Sequence, residues 1–372
     1  MLDDENRLEQ FASEIDEIGR RVRERLGPED VIYARRLVKT AGGLVGLGRG
    51  LLALGIDPVT FWSGVLFLWL GRQIRVVEIG HSALHGAWDR FPELPALHSE
   101  RHQWDIGVDE ECWRRGHNVE HHMYTNVARR DPDMHIGPVR VTDRTPHEVV
   151  QYIQLPAFLF LVFPTLGFWV GMHYSGMMDL YTRLDDFDVI ERRSLRTIVQ
   201  AHWKFLRKAI PYYTRNFVFW PALAGALAPR AAVGALIAEG LGNAYTAATL
   251  FCGHIGEDVS TFEAGTKAGS RARWYAMQVI ATNNFSVPDP ISVLCGALDY
   301  QIEHHLFPRL PPNRLREIAP EVRAVCEKYG VEYKVDTWPR TLWKVIRHVA
   351  ALSRRGARSP LEALRQAIDL GL

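Results

Sequence analysis

Three histidines within six residues are the strongest chemical signal in this sequence. His117, His121 and His122 lie in the stretch from Gly116 to Asn126. A neutral imidazole binds a transition metal through one ring nitrogen, while the other ring nitrogen donates to a nearby acceptor. On a helix, His117 and His121 share one face, and His122 is turned about 100° away. The three side chains could therefore surround one metal ion or reach two.

Two upstream histidine pairs also have a four-residue spacing. His81 and His85 follow an apolar stretch, whereas His98 and His102 lie in a polar stretch with proline, glutamate and tryptophan. An i, i+4 pair alone is more often a solvated coincidence than a metal site. We interpret His81 and His85 as ligands because further histidine clusters accompany them, and we interpret His98 and His102 as side chains outside the site.

The C-terminal half contains the remaining candidates. Gln301, His304 and His305 form a third cluster, and the prolines that follow it end the helix that carries it. His254 directly follows an apolar run, as His81 does, and is therefore also a candidate ligand. The complete set of predicted metal ligands is His81, His85, His117, His121, His122, His254, His304, His305 and Gln301.

Seven to nine ligands are too many for one tetrahedral zinc ion and fit two metal ions. Several imidazoles with open coordination positions suit iron that binds and reduces oxygen, whereas calcium or magnesium would take carboxylates. The four cysteines lie far apart and have no C-x-x-C spacing, which argues against structural zinc and against a disulfide framework. The sequence therefore favours a reducing compartment and a centre of two iron ions.

The composition indicates a folded, nearly neutral protein. The 372 residues include 47% hydrophobic residues, enough for one large domain or two small ones. The 44 basic and 43 acidic residues give a formal charge of +1, so we predict no nucleic-acid partner. The amphipathic stretch 1–26 lacks a basic start followed by an apolar core, so we expect no signal peptide.

Long apolar runs predict membrane-spanning helices. Residues 38–56 and 59–79 form one expected hairpin, and residues 210–228 and 231–253 form a second. The first two apolar runs are short for the roughly 20 residues that a spanning helix needs. A buried hairpin in a soluble protein is therefore an alternative for the first pair.

One apolar run is not expected to cross the membrane. Residues 155–173 contain Pro156 and Pro164 and precede a polar stretch, residues 179–215, that is rich in arginine. The positive-inside rule holds such a stretch in the cytoplasm, so a crossing would place it and the later histidines on the wrong side. We therefore predict an interfacial segment at 155–173. Four spans then keep both termini and every histidine cluster on the cytoplasmic side.

These expectations combine into one architecture. The predicted fold is all-α: an integral, multi-pass membrane protein with two transmembrane helical hairpins and a cytoplasmic helical cap that holds the histidine-ligated dimetal site. The expected domains are an amphipathic cytoplasmic segment at 1–34, a membrane domain at 35–345 and a cytoplasmic tail at 346–372. Because the clusters follow the cytoplasmic ends of the spans, a long apolar substrate in the membrane could present one C–H bond to the metals.

The order and spacing of the histidine boxes resemble those of the membrane fatty acid desaturases. Three boxes carry the resemblance: His81-x-x-x-His85, His117-x-x-x-His121-His122 and Gln301-x-x-His304-His305. Their surroundings, including Phe251-Cys252-Gly253-His254, are similar to those of bacterial acyl desaturases and front-end desaturases. The resemblance implies an enzyme of the bacterial plasma membrane with a non-haem diiron centre. Such a centre uses O2 and two electrons to remove two hydrogens from neighbouring carbons of an acyl chain.

The resemblance also implies partners. The substrate is a lipid or an acyl thioester. Glutamine replaces the first histidine of the third box, as in front-end members, so Gln301 is a weak ligand or supports one. The sequence has no His-Pro-Gly-Gly motif of a cytochrome b5 domain, so we expect a separate ferredoxin, cytochrome b5 or flavoprotein reductase to supply electrons. The basic stretch from Arg192 to Arg215 is a candidate docking site for an acidic donor, although the positive-inside rule explains the same charges.

Two other functions are compatible with these residues. A diiron hydroxylase on the same scaffold would differ only in substrate positioning: oxygen rebound to the first carbon radical gives an alcohol, whereas removal of a second hydrogen gives an alkene. A non-enzymatic membrane metal-binding protein would carry ionisable groups inside its spans, and the predicted spans carry few. Acyl desaturation is therefore the hypothesis that the sequence favours.

Overall fold

The computed structural model describes residues 5–134, 139–145, 147–178 and 194–354, and these residues are mostly helical. The described α-helices of nine or more residues are α1 (Glu5–Glu24), α2 (Pro28–Leu54), α3 (Pro58–Gln73), α4 (Leu166–Tyr174), α5 (Leu195–Thr214), α6 (Ala228–His254), α7 (Arg271–Ile280), α8 (Pro312–Tyr329) and α9 (Trp338–Leu352). Two short strands, β1 (Asn284–Ser286) and β2 (Val335–Thr337), pair in parallel, with Phe285 opposite Asp336. The predicted all-helical character is confirmed apart from this small sheet.

Shorter helical segments connect these elements. The short α-helices are Ser82–Leu84, Glu110–Trp113, His122–Tyr124, Gln154–Ala157, Trp220–Ala222, Asp289–Cys295 and Gln301–Leu306. The 3-10 turns are Pro95–Leu97, Pro132–Met134, Val149–Ile153, Phe163–Thr165, Gly225–Leu227 and Leu298–Tyr300. In the described part of the chain the π-helical segments are Ile74–His81, Arg114–His121, Phe158–Val162 and Arg215–Phe219. Two of these π-helices end on predicted metal ligands.

The first predicted hairpin is formed by α2 and α3. The Asp57 side chain caps α3 by accepting hydrogen bonds from the backbone amides of Val59 and Thr60. The two helices approach closely at Gly48, where an added Cβ would lie 2.4 Å from the Leu68 backbone nitrogen. Small residues at such a crossing let two helix backbones pack against each other. Helix α6 packs across the same pair through alanines, including Ala235, that are buried with Leu68.

The second hairpin begins earlier than the predicted span at 210–228. Helix α5 starts at Leu195, where the Ser194 side chain accepts from the backbone amide of Thr197, and the helical path continues to Ala222. Polar residues do not interrupt this helix because they lie on one side of an amphipathic helix, opposite an apolar side. Its partner α6 covers the predicted span 231–253.

Two helical stretches of the described residues are long and apolar enough to cross a membrane, Pro28–Leu54 and Val149–Tyr174. The second includes the run 155–173, and it changes from 3-10 to α, π and again 3-10 geometry before α4 begins. Pro164, which has no amide hydrogen to donate, lies in the last of these breaks. Because buried helices of soluble proteins share this length and composition, the interfacial position of 155–173 stays a prediction.

The N-terminal and C-terminal helices cover the histidine-rich part of the chain. Helix α1, predicted as an amphipathic helix, buries Phe11 and Ile15 against α7 and α8. Helix α9 packs on α6. The predicted domain boundaries near 34 and 345 fall inside α2 and α9 and stay predictions. Arg192 and residues 355–372 of the predicted tail lie outside the described residues.

Candidate metal centre

The first two histidine boxes are placed by π-helices rather than by regular α-helix. The π-helix Ile74–His81 continues α3, and its last residue is His81. The π-helix Arg114–His121 ends on His121, and His122 begins the next short α-helix. A π-helix closes i to i+5 hydrogen bonds and holds one extra residue per turn, so it changes the direction of the side chains that follow. Such turns occur frequently at functional sites.

The structure brings all nine predicted ligands into one buried cluster. The imidazole nitrogens of one group lie within 4.8 Å of one another, and this group is His81, His85, His117 and His304. A second group meets the same limit and contains His121, His254 and His305. The ring of His122 lies between the groups, with its centre 5.0 Å from that of His304 and 4.3 Å from that of His305. The three boxes and His254 therefore meet although they are far apart in sequence.

Gln301 approaches the second group through its amide. Its side-chain nitrogen lies 2.5 Å from Nε2 of His254, which is itself 3.3 Å from Nε2 of His305. Gly253 permits this approach because an added Cβ would lie 2.8 Å from Cγ of Gln301. The amide oxygen of Gln301 is buried and has no partner among the described residues. Gln301 is thus close enough to act on the metal or on the neighbouring imidazole.

Carboxylates and amides hold the outer nitrogens of several histidines. Nδ1 of His121 lies 2.8 Å from a carboxylate oxygen of Asp131, and Nδ1 of His117 lies 3.1 Å from Asp133. Nδ1 of His305 lies 2.8 Å from the amide oxygen of Gln278. An acceptor at Nδ1 fixes the tautomer that leaves Nε2 available for a metal. These three imidazoles are therefore oriented with Nε2 toward the centre of the cluster.

The sequence analysis missed these acceptors. Asp131 and Asp133 belong to a run that it interpreted only as a loop. Asp131 is held in place locally, because the backbone amides of Asn126 and Asp133 donate to its carboxylate. The signal that could have revealed them is two carboxylates about ten residues after a histidine box, since metal-bound histidines usually donate to carboxylates. No comparable pattern marks Gln278.

Burial and charge set different protonation states within the cluster. Burial and the neighbouring imidazoles lower the pKa of His85 and of His304, so both are neutral near pH 7. Burial acts in the same direction on His121, but the carboxylates of Asp131 and Asp133 raise its pKa to about 9. The buried negative charge beside His121 would compensate part of the charge of a bound cation.

The residues present fit a transition-metal centre. Four Nε2 atoms are buried and have no hydrogen-bond partner among the described residues, and they belong to His117, His121, His122 and His304. A buried polar atom without a partner costs about 1–3 kcal/mol, so a cluster of four is unfavourable unless a cation satisfies them. Imidazole nitrogens suit iron, zinc or copper and do not suit calcium or magnesium.

His98 and His102 lie outside this cluster, as predicted. The Nδ1 atom of His102 lies 3.1 Å from the carbonyl oxygen of Ala96, and that of His98 lies 3.9 Å from the carboxylate of Asp89. Neither residue belongs to a group of potential metal ligands in the described part of the chain. The i, i+4 spacing alone does not make a ligand pair.

An apolar cavity leads to the cluster. His81, His117 and His254 are part of its lining. Its walls are mostly apolar and include Val76, Ile106, Leu166, Val170, Ala238 and Leu250. Its lining also includes Arg72, which forms an ion pair with Glu239 and contacts the Tyr212 hydroxyl. A long, narrow apolar group could therefore lie with one of its carbons beside the histidines.

The predicted docking stretch is partly neutralised within the chain. Arg207 lies 2.7 Å from Asp109, and Lys208 and Arg215 form ion pairs with Glu110 and Asp105. These pairs connect α5 and the residue after it to residues 105–110, which precede the second histidine box. Docking of a donor on the basic stretch from Arg192 to Arg215 stays a prediction, and Arg192 and Arg193 lie outside the described residues.

Comparison with known proteins identifies relatives across most of the chain. The profile of the fatty acid desaturase family matches residues 57–337. The NADPH-dependent stearoyl-CoA 9-desaturase of Mycobacterium tuberculosis is 31% identical over 352 residues, which cover 93% of this chain and 80% of that protein. The sn-1 linoleoyl-lipid 6-desaturase of Synechocystis is 25% identical over 299 residues, which cover 77% of this chain and 78% of that protein. The matched region contains all nine predicted ligands.

Proposed function

The chain belongs to the fatty acid desaturase family, and from this premise we propose that it introduces a C=C bond into a long acyl chain with O2 and two non-haem iron ions. Its activity is that of an oxidoreductase that desaturates fatty acyl chains. One observation carries the finer proposal. Eight imidazoles and one amide meet beside an apolar cavity, with four Nε2 atoms lacking partners among the described residues.

The two groups of nitrogen atoms give one set of ligands per metal ion. His81, His85, His117 and His304 would hold one iron, and His121, His254 and His305 would hold the other. His122 would serve either ion, and Gln301 would complete the second set or support His254. When bound, the iron ions supply the reduction of O2 and the abstraction of hydrogen.

The remaining residues orient, bind and exclude water. Asp131, Asp133 and Gln278 hold the imidazoles of His121, His117 and His305 by accepting at Nδ1. The apolar cavity holds the acyl chain extended and keeps water from the reacting carbons. The overall reaction is –CH2–CH2– + O2 + 2 e⁻ + 2 H⁺ → –CH=CH– + 2 H2O, so the outcome depends on which two neighbouring carbons the cavity presents.

The membrane topology of the proposal is two hairpins with a cytoplasmic cap. Large apolar side chains are exposed on α2, α3, the stretch 149–174, the second hairpin and α6, and examples are Val59 at 74%, Phe160 at 80% and Val218 at 61%. A soluble monomer rarely exposes such a continuous apolar surface, whereas a membrane would cover it. The spans are residues 38–56 with 59–79 and residues 210–228 with 231–253, and the helices α1, α8 and α9 cap the histidines on the cytoplasmic side.

Substrate and electron donor follow from the relatives. Their names specify a stearoyl-CoA substrate in one case and an acyl-lipid substrate in the other. We infer that this chain takes a long acyl group on either a thioester or a membrane lipid. Electrons come from a separate ferredoxin, cytochrome b5 or flavoprotein reductase, and the NADPH dependence of one relative agrees with a reductase upstream of the centre.

One experiment tests the proposal directly. We expect purified protein to contain about two iron ions per chain, and we expect a host that expresses the chain to accumulate a new unsaturated acyl chain. The same host expressing His121→Ala should not, and mass spectrometry of the acyl chains would locate the double bond. Zinc without iron, together with an unchanged lipid profile, would contradict the proposal. A hydroxylated acyl chain in place of the alkene would indicate the hydroxylase alternative.

A further inference from the structure

The helical segment that carries the second histidine box has two faces of different character. His117, His121 and His122 are buried and face the metal cluster. Val119 and Met123, which lie four residues apart, are 59% and 55% exposed. Only the thickness of one helix separates this exposed face from the histidines, and a helix with its side chains is about 10–12 Å across.

Arginines border this exposed apolar face. Arg115 lies one turn before Val119, its side chain is 74% exposed, and it lies 3.7 Å from the Glu120 carboxylate. Arg130 is exposed and stacks over the Tyr124 ring at 5.5 Å. Arginine and methionine are enriched in protein–protein interfaces, and a small apolar centre with a charged rim is the usual composition of a transient complex. The positive rim favours a partner with a negative surface.

The position of this face beside the predicted ligands indicates which kind of protein would bind there. The desaturation reaction consumes two electrons, and the cofactors proposed for this chain are iron ions without an electron store. A donor must therefore come close to the imidazoles without entering the apolar cavity, which the acyl chain occupies. The exposed face of the second box lies on the opposite side of its helix from the buried histidines. By contrast, Arg207, Lys208 and Arg215 of the basic stretch are occupied in ion pairs.

We propose that the face formed by Arg115, Val119, Met123 and Arg130 docks an acidic one-electron carrier protein. This inference rests on the proposed function and names the donor surface of the same site. Two docking events supply one reaction cycle: each reduced carrier is oxidised by one electron, and the two electrons, with two protons, O2 and two hydrogens of the substrate, yield two water molecules. The carrier binds through its acidic surface to the arginines, and Val119 and Met123 form the dry centre of the contact.

The test is the affinity of the full-length protein in detergent for an oxidised, acidic [2Fe–2S] ferredoxin, measured by biolayer interferometry. We expect Arg115→Glu to weaken binding about tenfold at low salt, because charge reversal in the rim replaces attraction by repulsion. The matched control is Arg340→Glu in α9, whose side chain is 77% exposed and distant in sequence from the boxes. Its affinity should equal that of the wild type. Val119→Asn should weaken binding as well, and because it adds no charge it tests the apolar centre separately.

Turnover with two reductants distinguishes failure of the docking face from failure of the proposed function. With dithionite as a direct reductant, wild type and Arg115→Glu should form equal amounts of unsaturated product, whereas ferredoxin should support only the wild type and Arg340→Glu. Equal ferredoxin affinity for wild type and Arg115→Glu, or no binding to the wild type, would overturn the docking face. Absence of product from the wild type with both reductants would overturn the proposed function, and the affinity measurement would still decide the docking face.

Discussion

The first box, with His81 and His85, and the second box, with His117 and His121, are each placed by an eight-residue π-helix, yet they are held in different ways. Nδ1 of His117 and of His121 each meets a carboxylate. Within the described residues no carboxylate or amide bonds to His81 or His85, whose Nε2 atoms lie 3.2 Å from each other. The first box instead packs on the Trp113 ring, whose centre lies 5.6 Å from that of His81 and 5.1 Å from that of His85.

This difference separates two ways of fixing a ligand. A carboxylate at Nδ1 fixes the tautomer and makes Nε2 more basic, so it tunes the metal as well as the ring position. An aromatic ring fixes only the position, through contact area. We therefore expect removal of a charge at constant shape to impair the second box. We expect removal of side-chain volume at constant charge to impair the first box.

The largest expected effect is the same for both boxes. His81→Ala and His121→Ala should each lower product formation more than about 1,000-fold, because loss of a ligand exceeds the 10- to 100-fold effect of losing an outer partner. Iron content and acyl-chain profiles measure this. His102→Ala is the control, since that side chain lies outside the cluster and should retain activity. If either variant kept its activity, the box that it alters would not belong to the metal centre.

Removal of one charge at constant shape should separate the boxes. Asp131→Asn keeps the volume beside His121 but removes the charge that favours its basic Nε2, so we expect a 10- to 100-fold loss of metal affinity or activity. Metal titration of the chelated protein, with melting temperature measured in parallel, checks this. Asp289→Asn, at an exposed position, is the matched control. An Asp131→Asn variant that binds iron like the wild type would show that the carboxylate is not needed.

Removal of volume at constant charge should give the converse result. Trp113 is buried and also stacks on His117 at 4.4 Å, so Trp113→Leu leaves a cavity beside both boxes. We expect the free energy of unfolding to fall by about 2 kcal/mol, somewhat less than for truncation of a buried tryptophan to alanine. Activity of the folded variant should fall less than about tenfold, below the effect of Asp131→Asn. Thermal unfolding in detergent measures the stability, and initial rates measure the activity. A loss of activity larger than that of Asp131→Asn would contradict the comparison.

A carboxylate outside the histidine cluster is the reference for charge effects on the fold alone. Asp30 is fully buried and accepts from the Arg314 guanidinium at 2.8 Å. Burial opposes ionisation of Asp30, but the hydrogen bonds from Arg314 and Asn313 lower its pKa below the usual value. The ionised carboxylate therefore stabilises the fold above its unfolded pKa of about 3.9, and that contribution is lost as the pH falls through the lower folded pKa.

The corresponding variant should have the smallest effect on chemistry. Asp30→Asn should lower the free energy of unfolding by about 1–3 kcal/mol at neutral pH and leave iron content and rate unchanged. The difference in melting temperature between wild type and variant should shrink as the pH falls below about 4, because the unfolded carboxylate gains a proton there and the native carboxylate gains one at its lower pKa. A constant difference across that range would show that shape, and not charge, is what Asp30 contributes.

The sequence predicted which histidines meet in the cluster better than it predicted the residues that surround them. Spacing along the chain revealed His81, His117 and His305 because a ligand box is a local pattern. His254 was found by its position after an apolar run, and the structure places it 3.3 Å from His305, measured between Nε2 atoms. Asp131 and Gln278 reach the cluster only through the tertiary fold, and no local pattern distinguishes them from ordinary polar residues.

The helices, like the site, could be predicted only in part from the sequence. Apolar periodicity gave α1 and the hairpin of α2 and α3, because burial of one helix face leaves a repeat in the sequence. The start of α5 at Leu195 was missed because an amphipathic basic helix resembles a polar connection when only mean hydropathy is considered. The π-helices were missed because their hydrogen-bond pattern depends on how the histidines and their neighbours pack, and propensity does not encode it.

The π-helices at 74–81 and 114–121 also limit how this gene can change length. Deletion of one residue at 74–80 or at 114–116 would return the segment to an α-helix and rotate the following histidine by about 100° relative to the helix before it. The histidine spacing within the box would remain intact, yet the box would point away from the other ligands. Selection on insertions and deletions therefore extends several residues upstream of each box, into sequence that carries no histidine.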